Sequence, residues 1–407
     1  MQAAGPLTFP ATFSFEPLAH SFPPKPEQKS LVSEGSIDAT ATKIVQLVPP
    51  RLSSETVQDR VICTRPMRDG KFNISLEQKD NKIVVHCYGH GGSGWTTLFG
   101  SVNKAIQLFT ATNPNKETPI KVIGAGCMGL TTAVELKRMG YQVSISTEKL
   151  SGDMPSWRAA GYFALVSVQT SAADEEELHK IGMNTFETYQ AIEQGQHPFI
   201  TKEAVRYMPV YCSRDTESGV EDLEAKGKIP PREFVTLDFG NNVRHENFVK
   251  YMTYFMNTSI LMTQLNDQIK ELNIPITMEA IDAFDKVKES VVFNCTGLGA
   301  RELNKDEKMI PVTGHLQLFN AKAGQGHMEY MIYTKVKQDG NEEYIYLFPK
   351  EAHESPDGAI CKGVLGGTFL KSVEQLPNVE QRALHEREFV KLQERASQFF
   401  HGHPYKV

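Results

Sequence analysis

A chain of 407 residues, 40% hydrophobic and 23% charged, has the composition of a folded globular protein with two or three domain-sized masses. It does not match disordered, fibrous or membrane-spanning classes. Lys plus Arg number 43 against 49 for Asp plus Glu, and a net charge of -6 gives no electrostatic ground for polyanion binding, so nucleic acid is not expected as a partner.

The six cysteines, Cys63, Cys87, Cys127, Cys212, Cys295 and Cys361, are scattered singly with no CxxC pair, and they read as reduced, mostly buried thiols. No apolar run reaches the roughly 18 residues of a bilayer span. The N-terminus lacks a basic stretch followed by an apolar core, and the chain closes on Tyr-Lys-Val, so no address is read and the cytoplasm is the default expectation, without a membrane partner.

In chain order, residues 1–60 carry eight prolines before Arg51 and little periodicity, which predicts an arm that packs in places and not a domain. Strand patterns follow at Asn73 to Glu77 and Lys82 to Cys87, the second with a Gly-rich turn directly behind it. Leu98, Val102, Ala105, Ile106 and Phe109 then repeat at helical spacing, predicting a helix from about Trp95 to Phe109. The polar segment 110–118 reads as a linker. Beyond it come a strand (Ile120 to Ile123), a helix (Met128 to Met139) and a strand (Gln142 to Ser146), the order of a right-handed βαβ unit opening a parallel sheet. Later elements are expected as a helix over about 246–272, strands at 291–294, 315–319, 328–336, 344–348 and 359–365, and a charged helix from about Val379 to Phe400. Strands mixed with helices and no repeat predict an α/β fold with an antiparallel region.

The sharpest local signal is Gly124-Ala125-Gly126-Cys127-Met128-Gly129, placed where a strand ends and a helix begins. The first Gly permits the tight turn, the second lets backbone approach a pyrophosphate, the third lets helix and strand pack closely, and the helix N-terminus attracts the anion. Glu148 stands 24 residues after Gly124, at the end of the second strand, where an acid would accept from an adenosine ribose. Dinucleotide binding is the reading. The loop alone does not separate FAD from NAD, because both present the same adenosine diphosphate.

Four further segments bear on that choice by likeness. Ser156-Trp-Arg-Ala-Ala-Gly-Tyr-Phe163, Val292-Phe-Asn-Cys-Thr-Gly-Leu-Gly-Ala-Arg301 and Val84-Val-His-Cys-Tyr-Gly-His-Gly-Gly-Ser-Gly-Trp-Thr-Thr97 resemble flavin-contacting segments of the D-amino acid oxidase family, and Thr64-Arg65-Pro66-Met67-Arg68 is similar to its Arg-Pro motif on the substrate side. The resemblance implies FAD as cofactor and a Rossmann-type FAD-binding domain, a parallel sheet with helices, interleaved with a mixed or antiparallel α+β substrate domain. The ranges expected are a Pro-rich arm at 1–60, a discontinuous FAD-binding domain at 61–170 plus 235–310, and a discontinuous substrate domain at 171–234 plus 311–400.

The motif order departs from the family, in which the Arg-Pro motif and the Tyr-Gly-His-Gly-Gly block follow the GxGxxG; here Arg65 and Tyr88 precede Gly124. A circular permutation accounts for this, since packing depends on contacts and not on chain order. Residues 61–109 would be the family's C-terminal piece, and the nine-residue connector at 110–118 could span about 30 Å when extended.

The resemblance also implies a reaction: a hydride leaves the α carbon of an amino acid or related amine carboxylate for flavin N5, and the imino acid hydrolyses to a keto acid and ammonia. O2 or another electron acceptor would reoxidise the flavin. Such a site positions its substrate and tunes the cofactor and needs no strong base at that carbon. Arg65 is the expected carboxylate clamp, because a guanidinium offers two parallel donors. Tyr346 would add a hydroxyl to the same carboxylate, and Gly92 a carbonyl to the amine. The backbone amides from Ser93 to Thr97, heading a helix, would stabilise negative charge on the flavin ring as it is reduced, and Gly91, Gly92, Ser93, Gly94, Trp95 and Thr96 would lie against the cofactor. Gly161 and Tyr162 would lie along the ring, with Thr296 and Gly297 near pyrophosphate and ribitol, while Gly124, Gly126, Cys127, Met128, Gly129 and Glu148 hold the dinucleotide.

His86 and His90 have no second ligand at metal spacing and read as structural, so no metal is expected. Cys87 and Cys295 read as packing in the sheet. Three departures from the family stand out: Cys87, Val102 behind Gly100, and Glu342 where a second active-site Tyr is due. Were Glu342 near the pocket, it would favour a cationic side chain or amine. Two rival readings remain at this level: an NAD(P)-dependent reductase, which leaves 84–97 and 292–301 unexplained, and a flavin-binding protein with weak or no catalysis that serves in recognition.

Overall fold

The computed structural model describes residues 42–52, 57–79, 81–150, 154–159, 161–166, 174–321, 328–350 and 360–403. Strands β1 (Lys43–Gln46), β2 (Val57–Arg68), β3 (Asn73–Lys79) and β4 (Lys82–Tyr88) lead to helix α1 (Leu98–Thr110). Next come β5 (Pro119–Ile123), α2 (Cys127–Arg138), β6 (Gln142–Thr147), α3 (Pro155–Arg158), β7 (Gly161–Tyr162) and α4 (Glu175–Glu193). β8 (Val205–Ser213), α5 (Glu221–Ala225), β9 (Glu233–Asp238) and β10 (Arg244–Met256) precede α6 (Thr258–Glu271), β11 (Ile276–Met278), β12 (Val291–Asn294) and α7 (Ala300–Leu303). The remainder is β13 (Met309–Ala321), β14 (Met331–Gln338), β15 (Asn341–Pro349), β16 (Ile360–Gly366), β17 (Leu370–Lys371) and α8 (Asn378–His401).

These strands form two sheets. The smaller has six strands in the order β11-β6-β5-β12-β4-β3, all parallel except the antiparallel β3–β4 pair. Successive side chains of a strand face opposite sides. Accordingly Val85, Val122 and Phe293 pack with α1 and α2, while Val84, Ile123 and Val292 pack with Phe284, Val287 and Leu303 on the other face. Apolar cover on both faces is what a parallel sheet requires. α1 runs close against α4, because Gly100 leaves no side chain there: a Cβ would stand 2.1 Å from the Ile181 carbonyl oxygen. Val102 is buried in the apolar core with Leu98, Ala105, Ile106 and Phe109 of the same helix.

The larger sheet has eleven strands, nine in the path β1-β9-β10-β8-β14-β15-β16-β13-β17, with β2 on β13 and β7 on β10. Ile345 and Leu347 of β15 pack beneath α8 with Leu392, Ala396 and Phe400. The alternate residues Tyr346 and Phe348 face the other way and join the core shared with the smaller sheet. Together the sheets give an α/β architecture with mixed strands.

Several expectations need correction. The helix expected over 246–272 is strand β10 followed by α6. Phe248, Tyr251, Tyr254 and Phe255 suit a pleated surface better than a helix, and Asn257 caps α6 by accepting from the Ile260 amide at 3.3 Å. Helix α4 and strand β8 were not anticipated. Sheet membership also cuts across the expected domain ranges, because β2, β7, β9 and β10 belong to the larger sheet. Of the Pro-rich arm, residues 1–41 lie outside the described residues. Beyond them β1 pairs in parallel with β9, and Leu52 is buried in the core under α8.

Candidate active site

A cavity of about 510 Å³ is walled by the carboxyl ends of β4, β5, β6 and β12 and by one face of the larger sheet. Its size lies within the roughly 300–1,000 Å³ usual for ligand clefts. Strand carboxyl ends in a parallel sheet are the customary place for a bound dinucleotide.

At that end the β5–α2 turn is built as the glycines require. Gly124 has φ +103°, and a Cβ on it would lie 2.5 Å from the Cys295 carbonyl oxygen. A Cβ on Gly129 would meet the Gly124 carbonyl oxygen at 1.9 Å, so this third glycine closes the helix onto the strand and does not line the cavity. Gly126, Cys127 and Met128 do line it. Gly126 is the N-cap of α2 and has no side chain to satisfy the first-turn amides. The Cys127 amide donates to Ser156 Oγ at 3.0 Å. Glu148 lines the cavity just past β6, with Glu279 beyond β11 as a second carboxylate that sequence reasoning missed. On the β12 side Thr296 and Gly297 line the same space. Asn294 Oδ1 accepts from the Thr296 hydroxyl at 2.7 Å and fixes that turn.

The Gly-rich block after β4 supplies Gly91, Gly92, Ser93, Gly94, Trp95 and Thr96 to the wall. The amides expected from Ser93 through Thr97 are not all available: Ser93 donates to the His90 carbonyl and Thr97 to the Ser93 carbonyl, both at 3.0 Å. The helix begins at Leu98, so a tight turn and not helix α1 itself forms the wall. The amides of Trp95 and Thr96, on buried residues, have no hydrogen-bond partner among the described residues. Such donors are costly to leave unmet. Together with the uncapped turn of α2, they fit an elongated anionic cofactor whose ring and diphosphate both accept hydrogen bonds.

Tyr162 lines the cavity, its ring 4.8 Å from that of Phe348 and its hydroxyl donating to the Ser218 carbonyl at 3.2 Å. Gly161 lies behind it, paired with Met256; a Cβ there would come within 2.8 Å of the Met256 carbonyl oxygen. Ala160, within the Ser156–Phe163 segment, lies outside the described residues.

The opposite end of the cavity holds Arg65, on β2. Its Nη1 donates to the Thr368 carbonyl at 3.1 Å and its Nη2 to Tyr346 Oη at 3.3 Å, and Phe369 covers the guanidinium at 4.4 Å. Among the described residues no carboxylate pairs with Arg65, so it is not a structural salt bridge. Two glycines make the arrangement possible. A Cβ on Gly314 would lie 2.5 Å from Arg65 Nη1, and one on Gly366 would lie 2.1 Å from Tyr346 Cζ. Burial raises the Tyr346 phenol above its ordinary pKa while Arg65 pulls it down.

Sequence reasoning looked for a second tyrosine at position 342. The structure places one elsewhere: Tyr333 of β14 stands directly opposite Tyr346 and lines the cavity, its phenol raised by burial. A cross-strand partner carries no fixed spacing along the chain, so the motif could not reveal it. Glu342 does not reach the cavity. It is exposed and pairs with Lys335 at 3.4 Å, which removes the basis for a cation-selective pocket.

His86 is buried, with Nε2 3.2 Å from Glu77 and Nδ1 3.2 Å from Asn294 Nδ2. His90 stacks on Phe72, and burial pulls it down to about 3. Cys87, Cys127, Cys212 and Cys295 are buried free thiols, and Cys63 is half-buried. Cys127 is pushed up to about 11 by burial, which argues against a thiolate nucleophile. The side chain of Cys361 lies outside the described residues. No helix among the described residues is long and apolar enough to cross a membrane.

The sequence is 25% identical over 270 residues to D-amino-acid oxidase of Schizosaccharomyces pombe, covering 62% of this chain and 71% of that protein. It is 27% identical over 264 residues to D-amino acid oxidase of Dugesia ryukyuensis, covering 61% and 69%. A match to D-aspartate oxidase of Cryptococcus neoformans var. grubii, 33% identical, spans 14% of this chain and only 16% of that protein. Among solved structures, glycine oxidase from Geobacillus kaustophilus aligns over 72% of this chain and 81% of that one, at 13% identity and a TM-score of 0.46. The sequence model of the family described as FAD dependent oxidoreductase (DAO) matches residues 120–406, well over half of the chain. The chain therefore belongs to the FAD-dependent oxidoreductase family typified by D-amino acid oxidase, and FAD is its cofactor.

Proposed function

We propose that the protein oxidises the carbon–nitrogen bond of an amino acid or closely related amine carboxylate, releasing an imino acid that hydrolyses to a keto acid and ammonia, with O2 as the acceptor. The observation that carries the reading is the Arg65–Tyr346 pair: a guanidinium with no carboxylate partner among the described residues and a phenol bonded to it, walling the same cavity as the dinucleotide turn. Bound FAD supplies the two-electron acceptor that such an oxidation needs.

The chain's own residues supply the rest. Arg65, flattened against Phe369, keeps an edge of its guanidinium for a substrate carboxylate, and the Tyr346 hydroxyl adds a neutral contact beside it. Gly92 offers its carbonyl to the substrate amine. Tyr162, Tyr333, Phe348 and Leu316 keep water from the space next to Arg65. Gly124, Gly126, Cys127, Met128, Thr296 and Gly297 hold the diphosphate and ribitol, Glu148 the ribose, and the Trp95 and Thr96 amides the ring.

We also propose that the fold is a circular permutation of the family's. Support comes from the family match beginning at residue 120, while β4 and its Gly-rich turn precede that point and pair in parallel with β12. The smaller sheet is then the flavin-binding unit and the larger sheet the substrate unit.

One experiment tests the reaction. The purified protein should show a flavin spectrum, and anaerobic addition of pooled D-amino acids, glycine, sarcosine or L-amino acids should bleach it with at least one pool. A yellow protein that no pool bleaches would overturn the proposal.

A further inference from the structure

His315 lies on β13 and is fully buried, yet nothing in the proposed chemistry calls for an imidazole there. Burial pulls it down to about 3, so it is neutral. Its backbone amide donates to Thr368 Oγ1 at 2.7 Å, its Nδ1 is 2.9 Å from the same oxygen, and its Nε2 is 2.9 Å from Nδ1 of His385 on α8. Counting donors and acceptors orients the chain. Thr368 Oγ1 already accepts from the His315 amide, and His315 Nδ1 is the one acceptor for its hydroxyl proton among the described residues. The hydroxyl therefore donates to Nδ1. His315 then carries its proton on Nε2 and donates to His385 Nδ1.

This chain ends on Arg65. The carbonyl of the same Thr368 accepts from Arg65 Nη1, and the next residue, Phe369, covers the guanidinium face. The preceding Gly367 has φ +144°, and a Cβ on it would fall 2.0 Å from the Tyr344 carbonyl oxygen, so the 367–369 turn is pressed against β15 from behind. A turn with no regular ladder of its own owes its orientation to such side-chain bonds. Besides Tyr346, two groups that fix the guanidinium, one at its edge and one on its face, thus belong to a turn that the imidazole bonds directly between its two flanking strands.

We propose that His315 and Thr368 are positioning residues: the imidazole, fixed from outside by His385, holds the 367–369 turn and thereby aims Arg65 at the substrate carboxylate. The proposal rests on the reading of Arg65 as the carboxylate clamp. It predicts an effect on binding and not on turnover, because no member of the chain lies at the reacting atoms.

The test uses flavin-loaded protein and two readouts: KM and kcat with the amino acid that bleaches the wild type fastest, and the Kd of sodium benzoate read from the shift in the flavin spectrum. Thr368→Val, which keeps the shape and removes the hydroxyl, should raise both KM and Kd about tenfold and leave kcat within twofold. Thr368→Ser should bring both back to within twofold of wild type, which a loss of mere stability would not explain. His385→Leu should raise KM and Kd about threefold, and it decides the matter if Thr368→Val fails to fold. Unchanged Kd in either variant overturns the positioning role. If the wild type binds benzoate but no amino acid bleaches it, the oxidase reading falls and the Kd values still judge the positioning role. If the wild type neither binds benzoate nor is bleached, the clamp and its positioning residues fall together.

Discussion

Arg65 Nη2 donates to Tyr346 Oη at 3.3 Å, although 281 positions separate the two residues in the chain. Neither side chain could adopt this geometry without glycine nearby. Gly366 sits opposite Tyr346 on β16, and the phenol ring occupies the place a Cβ would take; Gly314 does the same beneath Arg65. The pair is held from the strand surface upward, and its geometry depends on two residues that present no chemistry of their own.

Removing the guanidinium should cost more than removing the phenol. Charge-assisted bonds contribute about 1.5–3 kcal/mol each and neutral ones about 1. Arg65→Met is expected to lower kcat/KM roughly a hundredfold, and Tyr346→Phe about fivefold, mostly through KM. Steady-state kinetics on both variants and the double variant checks this. Because the side chains touch, their effects should be less than additive. Full additivity would mean that they do not share a ligand.

Gly366→Ala puts a methyl group 2.1 Å from Tyr346 Cζ, so the ring must swing out of the cavity or the strands must part. Overpacking of this kind costs about 1–3 kcal/mol. The expected result is a KM at least as high as that of Tyr346→Phe, with a lower melting temperature. A variant matching wild type in both would show that the ring has room elsewhere.

Much of the wall of the candidate cavity was legible because its parts are local. The Gly124–Gly129 turn, the block behind β4 and the Arg-Pro pair are contiguous in sequence, and each carries its geometry in residue types that few other positions tolerate. What the sequence did not reveal is relational. Tyr333 comes to line the cavity through the register that sets it opposite Tyr346. Glu342 leaves the site because the same hairpin turns it to solvent beside Lys335. β10 was misread as helix because its aromatic residues are apolar in either period, and what decides the matter is pairing with β9 across a short hairpin on one side and with the more distant β8 on the other.

Gly124→Ala should abolish flavin retention. Its φ of +103° is strained for any side chain, and the new Cβ would strike the Cys295 carbonyl oxygen at 2.5 Å, on the turn after β12 that lines the cavity. The ratio of protein to flavin absorbance after purification and FAD reconstitution reads the outcome. Retention at wild-type level would show that the turn is not in the binding site.

Acid should destabilise the protein through its buried histidines. Burial holds His90 and His315 at about 3 and His197 at about 4, below their ordinary 6.5. Between those values the unfolded chain binds more protons than the folded one, so stability is fully present above about pH 6.5 and falls as pH drops toward 4, by about 1.4 kcal/mol per pH unit for each histidine. His197 Nδ1 accepts from the Ile200 amide at 3.0 Å. His197→Asn keeps an acceptor there and should flatten the acid limb by one proton. Urea unfolding of the flavin-loaded protein at stepped pH measures the slope, and an unchanged slope would count against a neutral His197.

The proposed permutation makes two demands that oppose each other. Residues 1–109 carry β3, β4, α1 and the Gly-rich turn, and β4 lies between β3 and β12 with Val84 beside Val292. Deleting them exposes the edge of β12, removes Phe109 from against Phe293 and strips the Trp95 and Thr96 amides from the cavity. The shortened chain should therefore lose flavin and aggregate, as a long apolar strand edge invites. Loss alone would not separate a permuted fold from any damaged one. Moving residues 42–109 to follow residue 403 through a flexible linker should restore flavin, because each strand, β1 beside β9 included, would regain its neighbours while only the order of connection changed. If the shortened chain stays yellow, the Gly-rich turn is not at the cofactor; if the reordered chain stays colourless while the native one is yellow, the 110–118 connector is part of the fold and not a splice between old ends.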